Sequence, residues 1–144
     1  MNILEKLSLV HSKVKDRLLL NGEYFKQYKI TNFSQLQIIT YLYTNPDKDL
    51  LQKDFEDVLR LSKSTISGLL DTLEKNGVIR RVKSKKDGRS KVIKFTKKCQ
   101  NSIEEMRLSY EKMEKKLINN ISEDDLETFI KVLKIIEKNT EKDL

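Results

Sequence analysis

Between Gly77 and Thr96 the period of the sequence changes. Elsewhere the apolar residues fall three and four apart, the spacing of one helical face. Here Val78-Ile79-Arg80-Arg81-Val82-Lys83 and Lys91-Val92-Ile93-Lys94-Phe95 read as two strands. Residues 84–90 lie between them and carry Asp87-Gly88, a turn signal. The expected fold class is therefore mostly α with one small β-hairpin (α+β). With only four Gly and a single Pro, Pro46, the helices meet little interruption.

The helices are placed by their stripes and stop signals. Leu4, Leu7, Val14 and Leu18 predict a first helix over residues 2–29, weakened at Gly22 and closing on Tyr24, Phe25 and Tyr28. A second, over 34–43, follows Asn32-Phe33-Ser34 and is largely buried through Leu36, Ile39, Tyr41 and Leu42; Asn45-Pro46-Asp47 then turns the chain. Asp49 with Gln52 three residues later reads as a capping box for a third helix to Leu59, burying Leu51, Phe55 and Val58 or Leu59. After the short turn Arg60-Leu61-Ser62, Ser62 caps a fourth helix, 63–76, with inward stripe Ile66, Leu69, Leu70 and Leu73, ended by Gly77. Beyond the hairpin, Ile103, Met106, Tyr110, Met113 and Leu117 alternate three and four apart like a coiled-coil seam. A last helix is capped by Ser122, has Glu123, Asp124 and Asp125 in its first turn, and buries Leu126, Phe129, Ile130, Leu133 and Ile136.

Composition narrows the function. Lys and Arg number 29 against 22 Asp and Glu, a net charge of +7 that attracts polyanions, nucleic acid foremost. One cysteine, Cys99, and one histidine, His11, leave no intramolecular disulfide and no zinc site from a single subunit. No nucleophile–base pair, metal cluster or phosphate loop suggests an enzyme, and neither metal nor cofactor is expected. No signal peptide and no apolar run long enough for a membrane span are read, so the expectation is a cytoplasmic protein without a membrane partner.

Helix, tight turn, helix, hairpin is the order of a winged helix-turn-helix. The second helix of such a unit enters the major groove. Its inner face must pack and its outer face must be small and polar. Opposite the apolar stripe stand Ser64, Ser67, Gly68, Asp71 and Lys75, with Lys63 and Thr65 at the N-terminal turn. Any amphipathic surface helix has a polar face, and Ser or Thr at a helix start is an ordinary cap. Ser, Ser and Gly on an exposed face are harder to explain, since none is a strong helix former. In the hairpin, Lys83, Lys85, Lys86 and Arg89 make a basic tip, either a solvated turn or, coupled to the preceding helix, a contact to phosphate or the minor groove. Asp87 is given a structural role: it pairs with Arg89 or accepts hydrogen bonds from the turn backbone.

These residues resemble the MarR family, the multiple-antibiotic-resistance type of bacterial regulator. The resemblance covers essentially the whole chain. It is densest at Leu61-Ser62-Lys63-Ser64-Thr65-Ile66-Ser67, Leu69-Leu70-Asp71, Leu73-Glu74-Lys75-Asn76-Gly77-Val78-Ile79-Arg80-Arg81, Asp87-Gly88-Arg89 and Phe95-Thr96. It implies a mostly helical, triangular homodimer whose first and last helices interlock, each subunit presenting one recognition helix and one wing. It also implies repression or activation of a nearby gene, often relieved by a small ligand or by oxidation. By position, Lys63, Ser64, Thr65 and Ser67 would read the major groove and Arg89 would reach the minor groove. Gly68 departs from the long side chain frequent there, and Arg60 stands where a small turn residue, often Gly, is common.

The expected organisation is one domain over 1–144, with a DNA-binding lobe at 34–95 and helical dimerisation regions at 1–30 and 96–144. Dimerisation is assigned to Leu4, Leu7, Leu117, Ile121, Phe129, Ile130, Leu133 and Ile136, because the terminal helices carry more apolar stripe than the lobe needs. Two recognition helices would then lie roughly 34–36 Å apart, one turn of DNA. Tyr24, Phe25, Tyr28 and Phe33 are read as plain core or as the lining of a pocket for a small apolar or aromatic ligand. Cys99 is inert unless Lys97 and Lys98 lower its pKa. His11 is expected to be partly buried packing or an interface hydrogen bonder. The functional expectation is a homodimeric, sequence-specific repressor on a pseudo-palindromic operator in double-stranded DNA, released by a small ligand. The alternative is a helical protein-interaction adaptor with an incidental basic surface.

Overall fold

The computed structural model describes residues 2–20 and 26–141. Among them are helices α1 (Ile3–Leu20), α2 (Phe33–Thr44), α3 (Gln52–Leu59) and α4 (Lys63–Lys75). Strands β1 (Ile79–Lys83) and β2 (Lys91–Phe95) follow, then α5 (Lys97–Leu117) and α6 (Glu123–Thr140). The mostly α fold with one hairpin is as expected. The chain divides into two compact units, Met1–Ser109 and Tyr110–Leu144.

In the first unit the caps set the helix starts. Asn32 Oδ1 accepts the Gln35 amide at 2.9 Å while Gln35 Oε1 accepts the Thr31 amide at 2.9 Å, so α2 begins at Phe33. That bond lets Gln35 sit buried beside Leu36, Ile38, Ile39 and Leu42. Tyr41, expected to be buried, is half-buried and stacks edge-on to Phe55.

The start of α3 is a correction. Asp49 does not cap it. The chain is extended through Leu50 and Leu51, where Leu50 O accepts the Ile93 amide at 2.8 Å and Leu51 bridges to Val92. Pairing this apolar dipeptide with the open edge of β2 satisfies backbone groups, and Leu50 is buried there. Asp54 takes over the N-terminal role, its Oδ2 accepting the Leu51 amide at 2.7 Å. Phe55 is buried and Leu59 packs against the core, while Val58 is exposed and Leu51 only half-buried.

The helix α4 follows its expectation closely. Ser62 Oγ accepts the Thr65 amide at 3.2 Å. Ile66, Leu70 and Leu73 are fully buried, with Leu69 partly so. At the other end Gly77 (φ 76°) lets Val78 N–H reach Leu73 O at 3.0 Å and Gly77 N–H reach Glu74 O at 3.1 Å, a Schellman closure. β1 and β2 pair antiparallel, from Ile79 opposite Phe95 to Lys83 opposite Lys91. Thr96 then donates its hydroxyl to Gly77 O at 2.6 Å and accepts the Cys99 amide at 3.1 Å, tying the end of α4 to the start of α5. The core joins Tyr28, Ile38, Phe55, Leu70, Ile93 and Cys99 among others.

The single helix expected over 2–29 does not reach Lys29, which lies in a turn at φ 52°. Gly22, Tyr24 and Phe25 lie outside the described residues. His11 is exposed, not partly buried, and meets Phe33 edge-on with ring centroids 5.5 Å apart.

In the second unit α6 is capped by Ser122, whose Oγ accepts the Asp125 amide at 3.1 Å, with the three acids in its first turn. The residues it was expected to bury are not buried within one chain: Phe129, Ile130 and Leu133 are exposed, and Leu126 and Ile136 half-buried. Along α5, Met106 and Met113 are buried, Ile103 and Tyr110 half-buried, and Leu117 exposed. No helix among the described residues is long and apolar enough to cross a membrane.

Candidate nucleic-acid interface

The outer face of α4 is built from short side chains. Lys63, Ser64, Thr65 and Gly68 are exposed and Ser67 is half-buried. Ser62 Oγ joins the hydroxyls of Ser64 (3.2 Å) and Thr65 (2.8 Å), so polar groups gather at the positive end of the helix dipole. A methyl group on Gly68 would meet nothing within 4 Å. No packing among the described residues therefore demands a glycine there.

One turn further, Asp71 departs from the simple outward reading. Its Oδ1 accepts from Arg81 Nη2 at 2.7 Å, linking α4 to β1. The sequence reasoning missed this pair, because nothing in residue spacing joins a helix position to a strand position ten residues on.

The hairpin tip resolves the two alternatives for Asp87. Its Oδ1 accepts the Arg89 amide at 3.0 Å and the Ser90 amide at 2.8 Å, and its Oδ2 accepts the Ser90 hydroxyl at 2.8 Å. The carboxylate organises the backbone rather than the Arg89 guanidinium. These bonds, those from Ser90 foremost, hold its pKa below the ordinary value. Gly88 takes φ 66°, which an L side chain would strain. Lys83, Lys85, Lys86 and Arg89 all stand exposed around this turn.

Charge is concentrated over these elements. Residues 60–98 hold thirteen Lys and Arg against three Asp and Glu, a local +10 that exceeds the +7 of the whole chain.

Other candidate residues fall elsewhere. Tyr28 is a core residue, its hydroxyl donating to Lys98 O at 3.3 Å and sharing a 3.2 Å bond with Ser102 Oγ, while half-buried Phe33 lies against His11. Tyr24 and Phe25 are outside the described residues. Cys99 is fully buried, and burial pushes its thiol up to about 11, so Lys97 and Lys98 do not activate it. Of the dimerisation set, Leu4, Leu117, Ile121, Phe129, Ile130 and Leu133 are exposed, and Leu7 and Ile136 half-buried.

Two helices joined by a three-residue turn, the second followed by a hairpin, define a winged helix-turn-helix. Comparison with known proteins agrees. Residues 31–90 match the model of the MarR family. PapX of Escherichia coli, an HTH-type transcriptional regulator, is 29% identical over 108 residues, which is 75% of this chain and 65% of PapX; the chain thus spans just under two thirds of that relative. The crystal structure of heme-free PefR is 31% identical, with 96% of this chain and 99% of that one covered and a TM-score of 0.64. The MepR–DNA complex of S. aureus shares the fold, at 24% identity, 96% and 98% coverage and a TM-score of 0.81. The chain belongs to the MarR family.

Proposed function

We propose that this protein is a site-specific repressor that binds double-stranded DNA as a homodimer. The α4 residues Lys63, Ser64, Thr65, Ser67 and Gly68 lie in the major groove, and Lys83, Lys85, Lys86 and Arg89 of the wing lie against backbone and minor groove. The observation that carries this reading is Gly68. An exposed mid-helix glycine costs about 1 kcal/mol relative to alanine, and among the described residues nothing within 4 Å of its missing side chain gives that cost a reason. Close approach of DNA to the helix backbone supplies one. MepR, which has the same fold, was crystallised on DNA. The exposed apolar residues of α6 support the homodimer, and a dimer favours a pseudo-palindromic operator.

The reading includes release by a small apolar or aromatic ligand. It is supported by a cleft of about 280 Å³ whose lining joins apolar Leu42, Phe95 and Ile103 to polar Asp49, Lys94 and Gln100 in about equal measure, rather than by the aromatic set read from sequence.

The test is fluorescence anisotropy with DNA from upstream of its own gene, against excess unrelated competitor, at two salt concentrations. Competitor-resistant binding with a steep salt slope is expected, and Gly68→Ala should raise the melting temperature while weakening binding to that DNA. Binding abolished by competitor, or a Gly68→Ala protein that binds undiminished, overturns the reading. Repression is checked by transcription of the same DNA in vitro with and without the protein.

A further inference from the structure

A cleft of about 640 Å³ opens between the N-terminal ends of α3 and α4 and the wing. Lys53 from α3, Lys63 from α4, and Arg89 and Lys91 from the wing contribute to its lining. All four are exposed, and none is ion-paired among the described residues. Arg81 also lines the cleft but is already engaged by Asp71. The two helix ends are held together here, since Gln52 Nε2 donates to Lys63 O at 3.3 Å. Glu56 and Asp57, on the α3 side, are outnumbered by these cations.

We infer that this cleft seats the DNA backbone phosphates that separate the major groove from the adjacent minor groove, with Lys53 and Lys91 as phosphate contacts beyond the recognition helix and wing tip. The inference rests on the DNA-binding reading above, and groove geometry leads to it. If α4 fills a major groove and the wing tip reaches the next minor groove, the strand dividing those grooves passes between them. The space between them is this cleft. Lys63 and Arg89 border it from the two elements that read the grooves. Lys53 and Lys91 border it from α3 and from the start of β2, outside the recognition helix and the wing tip; contacts to phosphate from there fix register without carrying sequence information.

The experiment measures the salt dependence of binding for wild type, Lys53→Gln, Lys91→Gln and the double variant. Each is titrated against the upstream duplex and a scrambled duplex of equal length. Lys115→Gln on α5 serves as the control, and a thermal melt checks each fold. Each single variant should bind both duplexes several-fold more weakly, by a similar factor, with the slope of log K against log salt reduced by about 1. The control should match wild type, and Lys53→Arg should restore the slope. Unchanged slopes in folded variants, or a loss confined to the upstream duplex, overturn the phosphate seat while leaving DNA binding in place. Failure of wild type to bind either duplex at low salt instead overturns the DNA-binding reading, and the seat with it.

Discussion

Asp87 puts a negative charge on the surface read here as facing DNA, so charge alone predicts that removing it tightens binding. The hydrogen bonds predict the opposite. Its carboxylate accepts three bonds from Arg89 and Ser90 and holds the turn that carries Arg89. Asp87→Ala should therefore weaken DNA binding several-fold in anisotropy titrations, and tighter binding would reject the structural role. Because those bonds lower the Asp87 pKa, its ordering of the turn is complete at neutral pH and is lost only as acid takes the pH down through that depressed value. Arg60 offers a second residue-scale test. It caps α3 at φ 53° and ψ 42°, a left-handed conformation that costs an L residue about 1–2 kcal/mol. Glycine removes that strain but makes the unfolded chain freer, so Arg60→Gly should stabilise by a net of about 0.5–1 kcal/mol, read as a higher midpoint in urea. An unchanged or lower midpoint would mean the Arg60 side chain contributes as much as its backbone costs. At Cys99 the raised pKa has its own sign. The folded thiol stays neutral where the unfolded one ionises, so its contribution to stability is intact below pH 9 and is lost as pH climbs toward about 11. Peroxide at neutral pH should leave DNA binding unchanged, and a loss that a thiol reductant reverses would count against an inert Cys99.

At the scale of elements, what could be read in advance depended on how far apart the deciding residues lie. The caps at Ser62 and Ser122 and the stop at Gly77 each rest on residues a few positions apart, and all three are found as read. The hairpin was equally local, its turn signal sitting between two alternating runs. The start of α3 failed for the converse reason. Asp49 with Gln52 is a sound local signal, but Leu50 and Leu51 gain more by pairing with Val92 and Ile93, and no spacing rule announces that partner. In the candidate site, the small outer face of α4 and the basic tip were legible as patterns. The bond from Arg81 to Asp71 that braces one against the other was not. With Asp71 largely exposed, this ion pair is worth under about 1 kcal/mol. Asp71→Asn should thus barely move the thermal midpoint. It should loosen the wing instead, seen as faster hydrogen exchange at β1 amides with the core of α4 unaffected. Equal exchange in both proteins would show that strand pairing alone fixes the hairpin.

The molecule carries two surfaces of opposite character: a net charge of +10 over residues 60–98, and an apolar face along the last helix. On α6, Phe129, Ile130 and Leu133 recur with half-buried Leu126 and Ile136 at three- and four-residue spacing, so they form one stripe. Phe129 is 54% and Ile130 49% exposed in the single chain. Completing the burial of each would contribute about 1 kcal/mol, roughly half the value of burying such a side chain from full exposure. A second copy of the chain meets that requirement with an identical stripe, which is the simplest self-complementary arrangement. If so, wild type should run as a dimer in light scattering, with a melting temperature that rises with protein concentration. Ile130→Asp should shift it toward monomer and lower operator affinity by about 100-fold or more, since one half-site is then bound without the other. Its contacts to each half-site are untouched, so weak salt-dependent binding to unrelated DNA should persist. That pattern separates a lost dimer from a damaged DNA face. An Ile130→Asp protein that remains dimeric and binds its operator normally would remove α6 from the interface.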